Sequence, residues 1–447
     1  MKICIFLGAG ASAAENLPIQ HELFTDYFKY SLPKDPNSKM NIMLRNFFKD
    51  MFRIDVINDD IDKIKANFKN KIEKGKTVAI TGGSRGISNY KVIMKTIVDF
   101  VKEEGGIPFI VPAMGSHGGG DAKGQKHILE KLGITEESMG CEIKSSMEVI
   151  EIGRTIKNLP VYIDKYAYNA HGIILINRIK SHTSFRGKYE SGLVKMLSIG
   201  LGKRKGADVT HSLRFEKMAE NIEQSAKVSI EKLNILFGVS TIENAYDDVS
   251  EIYILDKDEI VTKEPMLLEK SKELMGKLYL SDIDVLIVRE IGKNISGTGM
   301  DTNIIGRYHT KAASGGPNIT KIGVLNLNKF SNGNANGMGL ADFITKKFYN
   351  EIEFESTYLN AITSTEPNSI KLPMVLDNDK YVFKACAKTC GILDYESIKL
   401  VIIENTKNLK EIYMSKEAYN HVYNSNMVEA DGDFIEIKFD KEGNLIL

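Results

Sequence analysis

Apolar positions along this chain fall into short unbroken runs that alternate with stretches spaced for one face of a helix. Thr77-Val-Ala-Ile-Thr81 is such a run, and the loop Gly82-Gly-Ser-Arg-Gly86 follows it. Val92 to Glu104 takes up helical spacing. Ile107 to Met114 is the next run, ending in Gly115-Ser-His-Gly-Gly-Gly120, and Gln125 to Leu132 is helical again. Strand, glycine loop and helix, twice in about 60 residues, predict a parallel sheet with crossover helices. Such sheets bind ligands at the carboxyl ends of their strands, so both glycine loops are expected on the functional edge. Further helices are expected over Ile61–Glu73, Phe215–Leu233 and Leu267–Leu280, with strands at Gly172–Asn177 and Asn234–Val239. A second α/β region opens at Asp284–Arg289 and continues with strands near Lys321–Leu325 and Leu400–Ile403. The expected fold is α/β in two domains. A segment over 1–55 precedes a Rossmann-like parallel-sheet domain over 56–275, and a smaller α/β domain covers 276–447. The length of 447 residues suits two cores better than one.

Composition narrows the class. Lysine plus arginine and aspartate plus glutamate both number 59, so no charge excess points to nucleic acid or an anionic membrane. The basic stretch Lys203-Arg204-Lys205 reads as a solvated face. No run reaches the 18 or so apolar residues of a membrane span, and no basic, then apolar leader opens the chain. Four cysteines, Cys4, Cys141, Cys386 and Cys390, are too scattered for a disulfide framework. Cys386-x-x-x-Cys390 has no second pair to complete a zinc site and reads as structural. A reducing cytoplasm is the expected compartment.

Two glycine-rich stretches invite a dinucleotide reading. Lys2 to Leu7 followed by Gly8-Ala-Gly-Ala-Ser12 resembles the opening of sirtuin-like NAD-binding domains, whose glycines let backbone N–H groups approach a phosphate at a helix start. That resemblance covers only about the first 20 residues, too little for such a domain. Val78-Ala-Ile-Thr-Gly-Gly-Ser-Arg-Gly-Ile87 resembles the cofactor loop of short-chain dehydrogenases, but Ser88 stands where another glycine belongs. The best match to that family's Tyr-x-x-x-Lys pair, Tyr395-x-x-x-Lys399, lies far downstream and runs into a strand.

The chemistry gathers elsewhere. Of eight histidines, three sit in glycine-rich or polar loop sequence: His117 in Gly-Ser-His-Gly-Gly, His182 in Ile179-Lys-Ser-His-Thr-Ser-Phe185, and His211 in Ala207-Asp-Val-Thr-His211. Grouped on one sheet edge, they would make a site. Their surroundings, Pro112-Ala-Met-Gly-Ser-His-Gly-Gly119, Asn177-Arg-Ile-Lys-Ser-His-Thr183, the stretch Glu190-Ser-Gly-Leu-Val-Lys through Lys203, and Ile291-Gly-Lys-Asn-Ile-Ser-Gly-Thr-Gly-Met-Asp301, resemble the nickel-pincer lactate racemase family. The resemblance runs from about residue 60 to the C-terminus. It departs at Ser181 and Ser184, where proline and aspartate are common in the family.

The resemblance implies a cofactor, the nickel-pincer nucleotide (pyridinium-3-thioamide-5-thiocarboxylic acid mononucleotide), that carries Ni. It implies that His211 ligates the nickel and that Lys195 joins the cofactor covalently. It implies that His117 and His182 are the acid–base pair and that Arg85 orients substrate. Lys293 and Arg307 are further candidates for a substrate carboxylate or cofactor phosphate. These residue types suit the task. Imidazole exchanges protons near neutrality, a neutral imidazole binds nickel, and an arginine fork matches a carboxylate. The expected activity is isomerisation: racemisation or epimerisation of a small 2-hydroxy acid by reversible hydride transfer, with the site in a cleft between domains. Expected partners are the 2-hydroxy acid and the proteins that make the cofactor, with no nucleic acid and no membrane. The alternatives are an NAD-binding oxidoreductase and a non-catalytic binder of a nucleotide or hydroxy acid.

Overall fold

The computed structural model describes residues 2–8, 68–211, 215–423 and 428–447, in two compact units. One joins strand β1 (Lys2–Gly8) to residues 276–447, and the other holds the described residues 68–275. The expected segment 1–55, its glycine loop after Gly8 and the start of the helix expected over 61–73 lie outside the described residues. Of that helix, only a tight turn over Lys69–Lys71 falls within them.

The unit over 68–275 is built on β2 (Thr77–Gly82), α1 (Tyr90–Glu103), β3 (Ile107–Pro112), α2 (Ala122–Lys131) and β4 (Glu142–Ile143). A hairpin, β5 (Val149–Arg154) and β6 (Pro160–Asp164), precedes β7 (Gly172–Arg178). Then come α3 (Gly192–Lys195), α4 (Lys203–His211), α5 (Met218–Lys232), β8 (Ile235–Glu243), β9 (Val249–Leu255) and α6 (Lys257–Leu274). The six-stranded sheet runs β4-β3-β2-β7-β8-β9, parallel except for β9. The apolar runs in the sequence reflect burial on both faces. Val78, Ala79 and Ile80 of β2 and Ile173 to Ile176 of β7 are all buried. α1 lays Ile93, Met94, Ile97, Val98 and Val101 against this sheet, spaced three and four apart as one helix face requires.

The chain winds one way from β2 through β3 to β4, then resumes on the opposite side of β2 with β7 and β8. The strand order therefore reverses between β2 and β7. Loops diverge at such a point and leave a crevice at the strands' carboxyl ends. The loop with Arg85 follows β2, the loop with His117 follows β3, and the loop with His182 follows β7.

The last helix of this unit differs from expectation. α6 starts ten residues before the expected Leu267 and ends at Leu274. Its start is set by a capping box of Asp256 and Glu259. Pro265 obscures the pattern, because proline removes the N–H that would bond the carbonyl of Val261. The buried Tyr189 hydroxyl donates to that carbonyl instead, at 2.7 Å.

The other unit carries β10 (Asp282–Ile291), β11 (Asn318–Leu327), β12 (Phe343–Thr345), β13 (Met374–Leu376), β14 (Leu400–Ile403), β15 (Glu411–Ser415) and β16 (Val428–Glu436). Its sheet runs β13-β12-β11-β10-β14-β15-β1-β16 and is parallel from β13 to β14. β1 pairs antiparallel with β15 on one side and β16 on the other. Here too the order reverses, between β10 and β14, and the loop after β10 carries Lys293. Cys386 and Cys390 pack into this unit's core, where burial raises the Cys386 thiol's pKa. Tyr395 is exposed in a tight turn, and Lys399 donates its backbone N–H to Asp284. Among the described residues, no helix is long and apolar enough to cross a membrane.

Candidate active site

Three loops and the ends of two helices supply the side chains. After β2, the N–H of Gly83 donates to the Tyr90 hydroxyl at 2.7 Å, and that of Ser88 to Glu243 at 3.1 Å. Glu243 also pairs with Arg178 at the end of β7, tying the first loop to the neighbouring strand. Arg85 projects from this loop. Its side chain is exposed to solvent, while desolvation by the neighbouring atoms and the like charge of Arg178 lower its pKa. It stays protonated all the same. Among the described residues no hydrogen-bond acceptor or acidic side chain satisfies it.

Ser84 connects this loop to the next, its hydroxyl 3.2 Å from Nδ1 of His117. The same nitrogen lies 2.8 Å from the carbonyl of Met114. A carbonyl only accepts, so Nδ1 carries the proton and Nε2 is the basic atom. His182 has the opposite arrangement: its Nδ1 accepts from the backbone N–H of Ser184 at 3.1 Å, which places the proton of the neutral ring on Nε2. The loop is held by the buried Glu190, which accepts the N–H of His182 at 2.8 Å and pairs with Lys272 at 3.3 Å. Ser181 and Ser184 are both buried in this turn.

Lys195 ends α3. The buried Glu264 accepts the N–H groups of Leu193 and Val194 at 2.8 and 3.2 Å, and Asn177 donates to the carbonyl of Gly192 at 2.7 Å. Gly192 has φ +77°, and a Cβ there would lie 2.5 Å from the Glu264 carboxyl. Only glycine combines that backbone with so close an approach. Burial pushes the Glu264 carboxyl up to about 8.

The Lys195 amine lies 5.4 Å from the centre of the Phe185 ring, whose other neighbour is the His182 ring at 4.3 Å. Burial first, and the Arg85 charge second, lower the lysine's pKa to about 8, with Glu190 opposing. About a quarter of it is then neutral at pH 7.5, against roughly a thousandth for an ordinary lysine. His211, at the end of α4, feels the Lys195 charge in turn. Burial first, then Lys195, lower its pKa to about 4, so the imidazole is neutral at physiological pH. Ser84 bonds His117, Phe185 lies between the Lys195 amine and the His182 ring, and the charges of Arg85 and Lys195 reach Lys195 and His211 in turn.

Lys293 and Arg307 lie in the other unit. The Lys293 ammonium donates to Gly297 and Asn360 at 2.7 and 2.6 Å. Arg307 pairs with Asp342 at 2.8 Å and donates to the carbonyls of Leu340, Ile319 and Thr320. Its guanidinium braces the sheet. Ser84, Phe185, Glu190 and Glu264 were not singled out from the sequence. Phe185 and Glu190 stand inside the motifs quoted above, but an aromatic and a carboxylate without a motif role look like core and surface.

Residues 44–223 match the family model of the lactate racemase N-terminal domain. No curated protein matches the chain. Among solved structures, the chain is similar to the lactate racemase apoprotein of Thermoanaerobacterium thermosaccharolyticum, at 11% identity and TM-score 0.46 over 78% of this chain and 91% of that one. The matched residues contain Arg85, His117, His182, Lys195 and His211, whereas Lys293 and Arg307 lie beyond them.

The depressed histidines of the two units, His211 and His309, set a pH dependence. Burial lowers His309 to about 4 as well. Both rings stay neutral in the folded chain while their unfolded counterparts protonate below about 6.5. Stability is therefore fully present above pH 6.5 and is lost as pH falls from there toward 4, at about 1.4 kcal/mol per pH unit for each ring. Urea midpoints of the metal-free protein should fall across this range, and His309→Gln should flatten the fall.

Proposed function

We propose that this chain racemises or epimerises a small, lactate-like 2-hydroxy acid with the nickel-pincer nucleotide. The observation that carries the reading is the cluster of Arg85, Lys195 and His211: a cation with no anion partner among the described residues, an amine lowered to about 8, and an imidazole kept neutral. The donor set fits the cofactor. A neutral imidazole is a nickel ligand, an amine that deprotonates near neutrality can be acylated, and the desolvated surroundings favour both states. His211 would hold the metal and Lys195 the covalent link. When bound, the group supplies an acceptor for the C2 hydrogen as hydride.

The chain's own residues do the rest. Arg85 takes the substrate carboxylate in a two-pronged bond. His117 offers a basic Nε2 to the hydroxyl proton of one enantiomer, while His182 presents Nε2–H from the other loop. Two such groups are required because the hydroxyl lies on opposite sides in the two enantiomers. The cofactor's maturation proteins are the expected protein partners.

The test is co-expression with those maturation proteins, followed by incubation with each enantiomer of several C2-deuterated hydroxy acids. Inversion with the deuterium retained at C2 is expected, since hydride that leaves and returns never meets water. Inversion with loss of label to solvent would replace hydride transfer by proton abstraction. Bound NAD with no nickel would favour an oxidoreductase.

A further inference from the structure

The sequence reading of Lys203-Arg204-Lys205 as one solvated face holds for Arg204 and Lys205 but fails for Lys203, which is completely buried. Burying an ammonium is costly unless every proton finds a partner. Lys203 finds three oxygens: the carbonyl of Pro112 at the end of β3, Oε1 of Gln125 at 3.2 Å, and the carboxylate of Asp164 at 3.1 Å. The residue also adopts φ +55°, a left-handed backbone that costs any residue with a Cβ about 1–2 kcal/mol and that glycine would take freely. A lysine persists there because its ammonium is needed at that point.

Gln125 carries the connection onward. It is fully buried on α2, and with Oε1 accepting from Lys203 its Nε2 faces outward to the glycine loop. Nε2 donates to the carbonyl of Gly115 at 2.9 Å and to that of His117 itself at 3.3 Å. The loop is also pressed onto the start of α2. Gly118 has φ +67°, and a Cβ there would meet the backbone of Gly124 and Gln125 at 2.7 and 2.8 Å. The loop's own bonds are few: His117 N–H to Met114, Gly120 N–H to His117, and Gly115 N–H to Gly200.

We propose that Gln125 and Lys203 are positioning residues that fix the His117 loop, through a buried relay from Asp164 by way of Lys203 and Gln125 to the carbonyls of Gly115 and His117. The relay sets where the His117 ring stands relative to Arg85, and this role rests on the reading of His117 as an acid–base residue. Neither side chain touches substrate.

Gln125→Glu separates this role from simple packing. Glutamate keeps the volume and gives Lys203 a better acceptor, but it cannot donate to the two loop carbonyls. Hydrogen–deuterium exchange of the full-length, metal-free chain should show faster exchange at the amides of Gly115 to Gly120, with the rest of the chain unchanged. In the loaded enzyme kcat should fall about 10²-fold, as expected for a base displaced by about 1 Å, with KM and the adduct on Lys195 retained. Lys203→Met should do the same with a lower unfolding midpoint. It is the less clean variant because it strands Asp164. Unchanged loop exchange in Gln125→Glu overturns the proposal. So does a loosened loop with wild-type kcat in an enzyme that His117→Ala inactivates. If His117→Ala itself turns over normally, the acid–base reading fails, and the exchange experiment still decides whether the relay holds the loop.

Discussion

Replacing Lys195 with alanine should abolish covalent loading and reduce turnover to background. The expected readout is the intact mass of protein co-expressed with the maturation proteins: wild type carries an adduct, Lys195→Ala carries none. The effect is large because no other amine in the described site is so prepared. Lys195 ends a helix whose first N–H groups are held by Glu264, and its pKa is lowered to about 8 by burial and by Arg85. Lys195→Arg is the sharper control, since it keeps the positive charge but cannot be acylated under these conditions. It should also lack the adduct. An adduct of wild-type mass in either variant would remove Lys195 from its assigned role.

The three histidines should separate by what they lose. His211→Ala should lose nickel, because its ring is the neutral imidazole of the cluster and has no hydrogen-bond partner among the described residues. His117→Ala and His182→Ala should retain nickel and lose about 10²–10⁴-fold in kcat, the usual worth of a positioned acid or base. Metal analysis beside single-enantiomer assays checks both. The opposite tautomers of His117 and His182 further predict that the two variants affect the two reaction directions unequally in the first turnover. Equal metal content and equal rates in all three variants would dissolve the assignments.

Much of this was legible in the chain because the strands are buried on both faces and so appear as unbroken apolar runs. The runs Thr77–Thr81, Gly172–Asn177 and Leu400–Ile403 lie within a residue of the observed strands. What the sequence concealed was of two kinds. α6 was displaced because Pro265 interrupts a helix whose freed carbonyl is satisfied by Tyr189, 72 residues away in sequence, and no local pattern reports such a bond. Lys203 looks solvated beside two exposed basic neighbours, while its partners Pro112, Gln125 and Asp164 come from three separate elements. His117 and Lys195 stand out through the motifs that resemble the racemase family. The residues that hold them in place are visible only by their burial.

The strand β1 has a consequence for how the molecule is made. It lies between β15 and β16, and more than four hundred residues separate it from its partners in sequence. Closing so long a loop adds little to the equilibrium balance, since its entropy grows only logarithmically, but contacts of such separation slow folding. The second sheet cannot be completed until residues 2–8 and 411–436 are both present. Until then β15 and β16 each expose an unsatisfied edge, and an open edge recruits strands from other chains. Yield in a heterologous host should therefore depend on chaperone supply and on leaving β1 unobstructed by a bulky fusion partner.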